Sequence, residues 1–147
     1  MVLLRRAFVA AAAAWAAVIF LAPLAAHRPG SAASGFAWAV YSVGHLVCHQ
    51  LPERSFALLA TPLPVCARCT GLYVGAAAAA LFVPAFDDAR RRRILAGARA
   101  LLVVVAIPTA VTLAYEWTTG VMPANWMRAA AGVPLGAAIA WIIREVN

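Results

Sequence analysis

The sequence of residues 66–86 is CARCTGLYVGAAAAALFVPAF. Its polar side chains are concentrated in the first turn, and the apolar run that follows brings the segment to the roughly 20 residues that a transmembrane helix needs. Two cysteines with two residues between them open the segment. This stretch therefore predicts a membrane-spanning helix that starts at a pair of thiols.

The composition of the whole chain predicts the same environment. Of its 147 residues, 65% are hydrophobic and 12% are charged, whereas soluble domains average about 45–50% apolar and about 25% charged residues. A bilayer can cover this much apolar surface, and a soluble core cannot. We therefore predict an all-α integral membrane protein that forms one domain, residues 1–147.

Four segments have the length and apolarity of a span. They predict transmembrane helices at residues 8–26, 66–86, 97–117 and 127–146. The predicted outer loop covers residues 27–65, and within it residues 35–48 are too short to span and predict a helix at the membrane interface. Residues 87–96 are predicted to form a cytoplasmic loop. A cleaved signal peptide is the alternative for the first segment, because two arginines precede its apolar run and small residues end it.

All twelve basic residues are arginines, and their distribution predicts the orientation. With a cytoplasmic N-terminus, the cytoplasmic side carries eight: Arg5, Arg6, the four of residues 90–93, Arg99 and Arg144. The outer side carries four: Arg28, Arg54, Arg68 and Arg128. The positive-inside rule therefore predicts a multi-pass protein of the cell (inner or plasma) membrane with both termini cytoplasmic. Because the arginines separate apolar segments, the predicted partner is the lipid bilayer and not nucleic acid.

A cluster of cysteine and histidine residues is predicted at the outer face. Cys48, Cys66 and Cys69 supply three thiols and His49 adds an imidazole, which together make the Cys₃His set of a closed zinc site. His45 is the alternate fourth ligand, since residues 45, 48 and 49 share one face if this segment is helical. The predicted cofactor is zinc or another transition metal.

Three other interpretations of the cysteines remain open. One is a disulfide in an oxidising outer compartment, between Cys66 and Cys69 or between Cys48 and one of them. At the start of a helix and beside Arg68, Cys66 is expected to have a lowered thiol pKa. This suits a membrane thiol–disulfide oxidoreductase in which Cys66 attacks, Cys69 resolves and Cys48 is the exchange partner. The thiols can also be inert packing residues. The sequence therefore does not decide whether the protein is an enzyme.

Five polar residues are predicted to form a rim at the same outer end: Arg54, Arg68, Glu116, Asn125 and Arg128. Arginine suits phosphate and carboxylate groups, so this rim is expected to recognise an anionic lipid or a small-molecule ligand. Glu116 ends the third predicted span and is expected either to face water or to pair with Arg128.

The cysteine motifs resemble those of a family of small prokaryotic membrane proteins known only as a domain of unknown function. The matching segments are CHQLPERSF (residues 48–56), CARCTGLYVG (residues 66–75) and an Asn-x-x-Arg-x-x-x-Gly-x-x-x-Gly pattern that ends at Gly136. The resemblance covers about residues 40–140 and implies a multi-span membrane protein with a Cys/His cluster but no established activity. Where that family often has Asp-Gly and a following Gln, this chain has Thr112-Leu113 and Glu116.

Overall fold

The computed structural model describes residues 2–83 and 88–146, and this part of the chain is mostly helical. Its helices are α1 (Val2–Ala26), α2 (Ser31–Val47), α3 (Ala67–Phe82), α4 (Asp88–Ala96), α5 (Ala98–Thr119) and α6 (Asn125–Val146). Between α2 and α3 lie a 3₁₀ turn (Pro52–Arg54) and a hairpin of two short strands, β1 (Ala57–Leu58) and β2 (Thr61–Pro62). Residues 84–86 of the predicted second span and Asp87 of the predicted cytoplasmic loop lie outside the described residues.

Three helices of the described residues, α1, α5 and α6, are long and apolar enough to cross a membrane. They coincide with the first, third and fourth predicted spans, so the prediction of a helical protein of membrane type is confirmed. The second predicted span corresponds to α3, which has 16 residues and is about 24 Å long. This is shorter than a hydrocarbon core of about 30 Å, and the fourth crossing stays a prediction.

The connections contain more helix than the sequence patterns predict. The predicted interfacial helix at residues 35–48 is observed as α2, which begins earlier, at Ser31, and ends at Val47. The segment predicted as a cytoplasmic loop is helical from Asp88 to Ala96. Its alanine and arginine residues are good helix formers, which accounts for this helix.

Close packing between α3 and α6 forms the centre of the fold. A Cβ atom at Gly71 or Gly75 of α3 would overlap the backbone of α6, and one at Gly132 or Gly136 of α6 would overlap the backbone of α3. Small residues spaced four apart allow membrane helices to make such backbone contact. Because residue 71 faces 129 and residue 75 faces 133, the two helices run parallel and start at the same end of the bundle.

Arg144 closes the opposite end of this helix pair. Its side chain is buried and Nη1 donates to the carbonyl oxygens of Ala79 and Ala80, each at 3.3 Å. These carbonyls belong to the last turn of α3, where backbone acceptors begin to lack partners within the helix, although the Ala79 carbonyl also accepts from the N–H of Val83 at 3.3 Å. Arg144 also pairs with Glu145 at 3.4 Å. A buried arginine thus caps α3 from α6.

α5 runs along the outside of α6. Glu116 is the one buried residue of α5 in the described part of the chain, although Thr109 donates its hydroxyl to the Ala131 carbonyl of α6 at 2.8 Å. Gly120, with a φ of 69°, ends the helix, and its N–H binds the Glu116 carbonyl. This left-handed conformation is the usual helix ending that glycine allows. The only buried side chain of this apolar helix is therefore an acid.

Candidate functional site

The loop between α2 and α3 is folded back onto α2. Gln50, whose φ is 53°, donates from Nε2 to the carbonyl oxygens of Tyr41 at 2.7 Å and of Pro64 at 2.8 Å. The Tyr41 hydroxyl donates to the Pro62 carbonyl at 2.5 Å. These bonds hold the end of the loop beside the end of α2, and they bring together the residues that border the loop on either side.

Three sulfur atoms meet at this junction. The Sγ atoms of Cys48, Cys66 and Cys69 all lie within 4.8 Å of one another, and all three cysteines are free thiols. Cys48 directly follows α2, Cys66 is the N-cap residue of α3, and Cys69 lies in the first turn of α3. The backbone N–H of Cys66 donates to the Cys48 Sγ at 3.2 Å. The arrangement can ligate a soft metal ion or exchange disulfides.

The interior around the sulfurs is apolar, with Ile19 of α1 and Val65 fully buried against them. Cys66 precedes the first residue of α3. A hydrogen bond from the Cys69 thiol lowers the pKa of Cys66 to about 5, although burial acts in the opposite direction. This contact therefore favours the thiolate of Cys66, and the thiolate is the form of cysteine that binds metals and attacks disulfides.

The histidines lie outside this group of ligand atoms. His49 is exposed next to Cys48, and His45 is exposed in the last turn of α2. Because Cys48 has an extended backbone, successive side chains at this point face opposite sides. The predicted role of either histidine as fourth ligand stays a prediction. His27 lies apart from them and shares a hydrogen bond with the hydroxyl of Thr61 at 2.8 Å.

A second polar group, here termed the arginine cluster, consists of Glu116 and three arginines around its carboxylate. Nη2 of Arg54 lies 2.7 Å from Oε1, and Nη2 of Arg68 and of Arg128 lie 3.8 and 3.9 Å from Oε2. Glu116 and Arg128 are buried, whereas the Arg54 side chain is 36% exposed. Three guanidinium groups against one carboxylate leave an excess of two positive charges.

Asn125 and Thr112 extend the arginine cluster. Asn125 accepts a hydrogen bond from Nη1 of Arg128 at 3.5 Å and donates to the Ser55 carbonyl at 3.0 Å. The Thr112 hydroxyl accepts from Nη2 of Arg68 at 3.3 Å. The five residues predicted for the rim therefore lie in one network of contacts, and their role in binding a ligand stays a prediction. Arg68 shares the first turn of α3 with Cys69, so the network adjoins the cysteines.

An apolar groove of about 390 Å³ lies beside the arginine cluster. Its walls include Val111, Thr112 and Tyr115 of α5, Val121 and Met122 of the next segment, and Met127 of α6. Sequence reasoning missed this groove because it forms only where the chain after α5 folds back toward α6. The sequence did contain one indication of the groove, namely the apolar residues 111 and 115, which are spaced four apart on one face of α5 next to the acid at 116.

Comparison with known proteins places these features in a family. An uncharacterized protein of Methanocaldococcus jannaschii is 42% identical over 45 residues, which cover 31% of this chain and 29% of that protein. An uncharacterized protein of Methanothermobacter thermautotrophicus is 53% identical over 30 residues, or 20% of this chain and 27% of that protein. The chain thus spans less than a third of the length of either relative.

No solved structure matches the chain. A family model described as predicted membrane protein (DUF2085) matches residues 48–142. This range is more than half of the chain, and it includes the three cysteines and the whole arginine cluster. The chain therefore belongs to the DUF2085 family of predicted membrane proteins.

Proposed function

We propose that Cys48, Cys66 and Cys69 bind a transition metal, zinc in the first instance, with His49 or His45 as the fourth ligand. The observation that carries the proposal is the approach of the three sulfur atoms to within 4.8 Å of one another. Zinc–sulfur bonds of about 2.3 Å in a tetrahedron require sulfurs about 3.8 Å apart, so shifts of about 1 Å suffice.

The role of the metal follows from the order of the ligands in the chain. Cys48 and Cys66 border the loop between α2 and α3, and Cys69 lies within α3. A metal held by all three fastens the loop to the start of α3, and its binding energy becomes folding energy. A site whose four ligands all come from the protein is structural rather than catalytic.

We infer that this site lies at the outer face of the cell membrane, with four crossings and both termini cytoplasmic. The excess of arginines on the opposite side supports this orientation. The parallel arrangement of α3 and α6 supports the four crossings, because two spans separated by one further crossing run in the same direction. Along one side α3 contacts α6 and not lipid, which eases the mismatch between its length and the bilayer. If the C-terminus is cytoplasmic, green fluorescent protein fused after Asn147 should fluoresce and alkaline phosphatase fused there should be inactive. The reverse result would overturn the proposed orientation.

Metal analysis of the full-length protein purified in detergent tests the metal site. We expect about one zinc per chain, as in a single four-ligand site, and thiols that react only after chelation. Cys66→Ser should remove the metal. Of His49→Ala and His45→Ala, the variant that replaces the fourth ligand should lose zinc, and His27→Ala is the matched control. Metal-free protein with three reactive thiols contradicts the proposal.

The low pKa of Cys66 favours a second candidate function, thiol–disulfide exchange. The Cys66 thiolate attacks a partner's disulfide and forms a mixed disulfide while one partner thiolate leaves. The Cys69 thiol then loses its proton to the partner thiolate that has left, attacks the Cys66 sulfur and displaces the second partner thiolate. The partner gains two electrons, and this chain keeps a Cys66–Cys69 disulfide. His49→Ala should leave this exchange intact, and one free thiol per chain without metal would favour it over the metal site.

A further inference from the structure

We propose that the arginine cluster and the neighbouring apolar groove together bind an anionic phospholipid, with its phosphate at the arginines and one acyl chain in the groove. The inference is independent of the proposed metal, because it uses none of the cysteines or histidines.

The arginine cluster carries positive charge that Glu116 does not fully neutralise, which favours the binding of an anion. Glu116 is the only carboxylate in ion-pair contact with Arg54, Arg68 and Arg128 among the described residues. Two of its three ion pairs are long, at 3.8 and 3.9 Å. An uncompensated charge in a buried place is unfavourable, and a bound phosphate supplies the missing negative charge.

Hydrogen-bond donors of the cluster are also left without partners. The Nε atoms of Arg54, Arg68 and Arg128 are buried and make no hydrogen bond. Arg128 is 1% exposed, so water does not replace the missing acceptor at its surface. Buried donors normally have partners. Phosphate oxygens match guanidinium groups in charge and in bidentate geometry.

The groove meets the arginine cluster at one residue, Thr112. Thr112 lines the groove and accepts a hydrogen bond from Arg68, so the polar and apolar parts meet at this residue. The volume of about 390 Å³ lies in the range of about 300–1,000 Å³ that is usual for small-molecule sites. Apart from the Thr112 hydroxyl, the named side chains of its wall are apolar or aromatic.

A lipid explains both halves of the site, whereas a free anion explains only one. The groove lies against α5, whose residues other than Glu116 are all exposed or half-buried and which is apolar enough to span the bilayer. A lipid therefore has direct access to the groove from the membrane. Arg54 is half-exposed, which is consistent with a headgroup near the water boundary.

Native mass spectrometry of the full-length protein in detergent tests the proposal. The probes are palmitoyl lysophosphatidic acid, palmitoyl lysophosphatidylcholine of the same chain length, and inorganic phosphate. We expect one lysophosphatidic acid per chain, bound about tenfold more tightly than the choline lipid, which has no net charge. Arg54→Gln should weaken binding about tenfold and Arg54→Lys less, because lysine keeps the charge but loses the fork of donors.

One further variant tests the acyl-chain half of the site, and a second variant is the control. Val111→Trp fills the groove and should weaken the binding of lysophosphatidic acid about tenfold, which corresponds to about 1.4 kcal/mol. It should not change the weak binding of phosphate. Arg28→Gln, at an exposed arginine outside the cluster, should change nothing. If inorganic phosphate bound as tightly as lysophosphatidic acid and displaced it, the ligand would be a soluble anion and not a lipid. Unchanged lipid binding in Arg54→Gln or Val111→Trp, with the melting temperature preserved, would also overturn the proposal. Zinc measured in the same samples reports separately on the metal site.

Discussion

Replacement of Glu116 with glutamine should destabilise the protein by about 3–5 kcal/mol, the usual effect of breaking a buried ion pair by removing one partner. At an effective dielectric constant of about 20, Coulomb's law gives about 6 kcal/mol of gross attraction for the 2.7 Å pair with Arg54 and about 4 kcal/mol for each longer pair. Removal of the carboxylate from water and repulsion among the arginines offset most of this attraction. The variant keeps the shape of the side chain but leaves three cations together.

Thermal unfolding in detergent, followed by loss of the monodisperse peak in size-exclusion chromatography, measures the effect. For a chain of this size each kcal/mol corresponds to about 2–4 °C, so the midpoint should fall by roughly 10 °C. Glu53→Gln is the matched control, since Glu53 is exposed and an exposed substitution changes stability by about 0.5 kcal/mol or less. A midpoint within about 2 °C of the wild type corresponds to less than about 1 kcal/mol. That result would refute the conclusion that the Glu116 carboxylate stabilises the three arginines.

Three further predictions use the same assay. Gly136→Ala puts a methyl group against the Leu72 backbone and should destabilise the protein by about 3 kcal/mol. The control Gly35→Ala, in open space within α2, should stabilise it by about 0.5 kcal/mol. Equal effects of the two variants would contradict the close packing of α3 and α6. Gln50→Ala loses two hydrogen bonds and should destabilise by about 2 kcal/mol; no change would show that these bonds do not hold the loop. Arg144→Met leaves buried Glu145 unpaired and should destabilise by about 3 kcal/mol, and a neutral result would mean that the end of α3 needs no cap from α6.

The sequence predicts the architecture because long apolar segments have few alternatives to crossing a bilayer. The sequence pattern also predicted that the residues of the arginine cluster lie together, and the structure has α3 and α6 starting at the end of the bundle where α5 ends. The end of α3 at Phe82 had a signal in the chain. Val83 precedes Pro84, and a residue before proline is driven out of the helical region; Val83 is indeed extended.

Other features depend on contacts that no local pattern encodes. The separation of His49 from the face of α2 that carries His45 follows from the extended backbone at Cys48, which a helical pattern over residues 45–49 did not predict. The left-handed conformation of Gln50 is unusual for a residue other than glycine, and it becomes favourable only when Tyr41 and Pro64 present carbonyl groups to its amide. The groove forms only when α5, the segment that follows it and α6 come together.

The glycine contact between α3 and α6 has a consequence for biogenesis. α6 follows α3 in the chain with α4 and α5 between them, so α3 leaves the ribosome well before its partner exists. At synthesis rates of about 5–20 residues per second, α3 waits for several seconds in the translocon or the bilayer with its glycine face uncovered. With 16 residues α3 is shorter than the hydrocarbon core is thick, and it carries the thiols of Cys66 and Cys69 at its start. The packing of α3 is thus completed only after α6 has been synthesised, because α6 supplies both the matching glycines and Arg128.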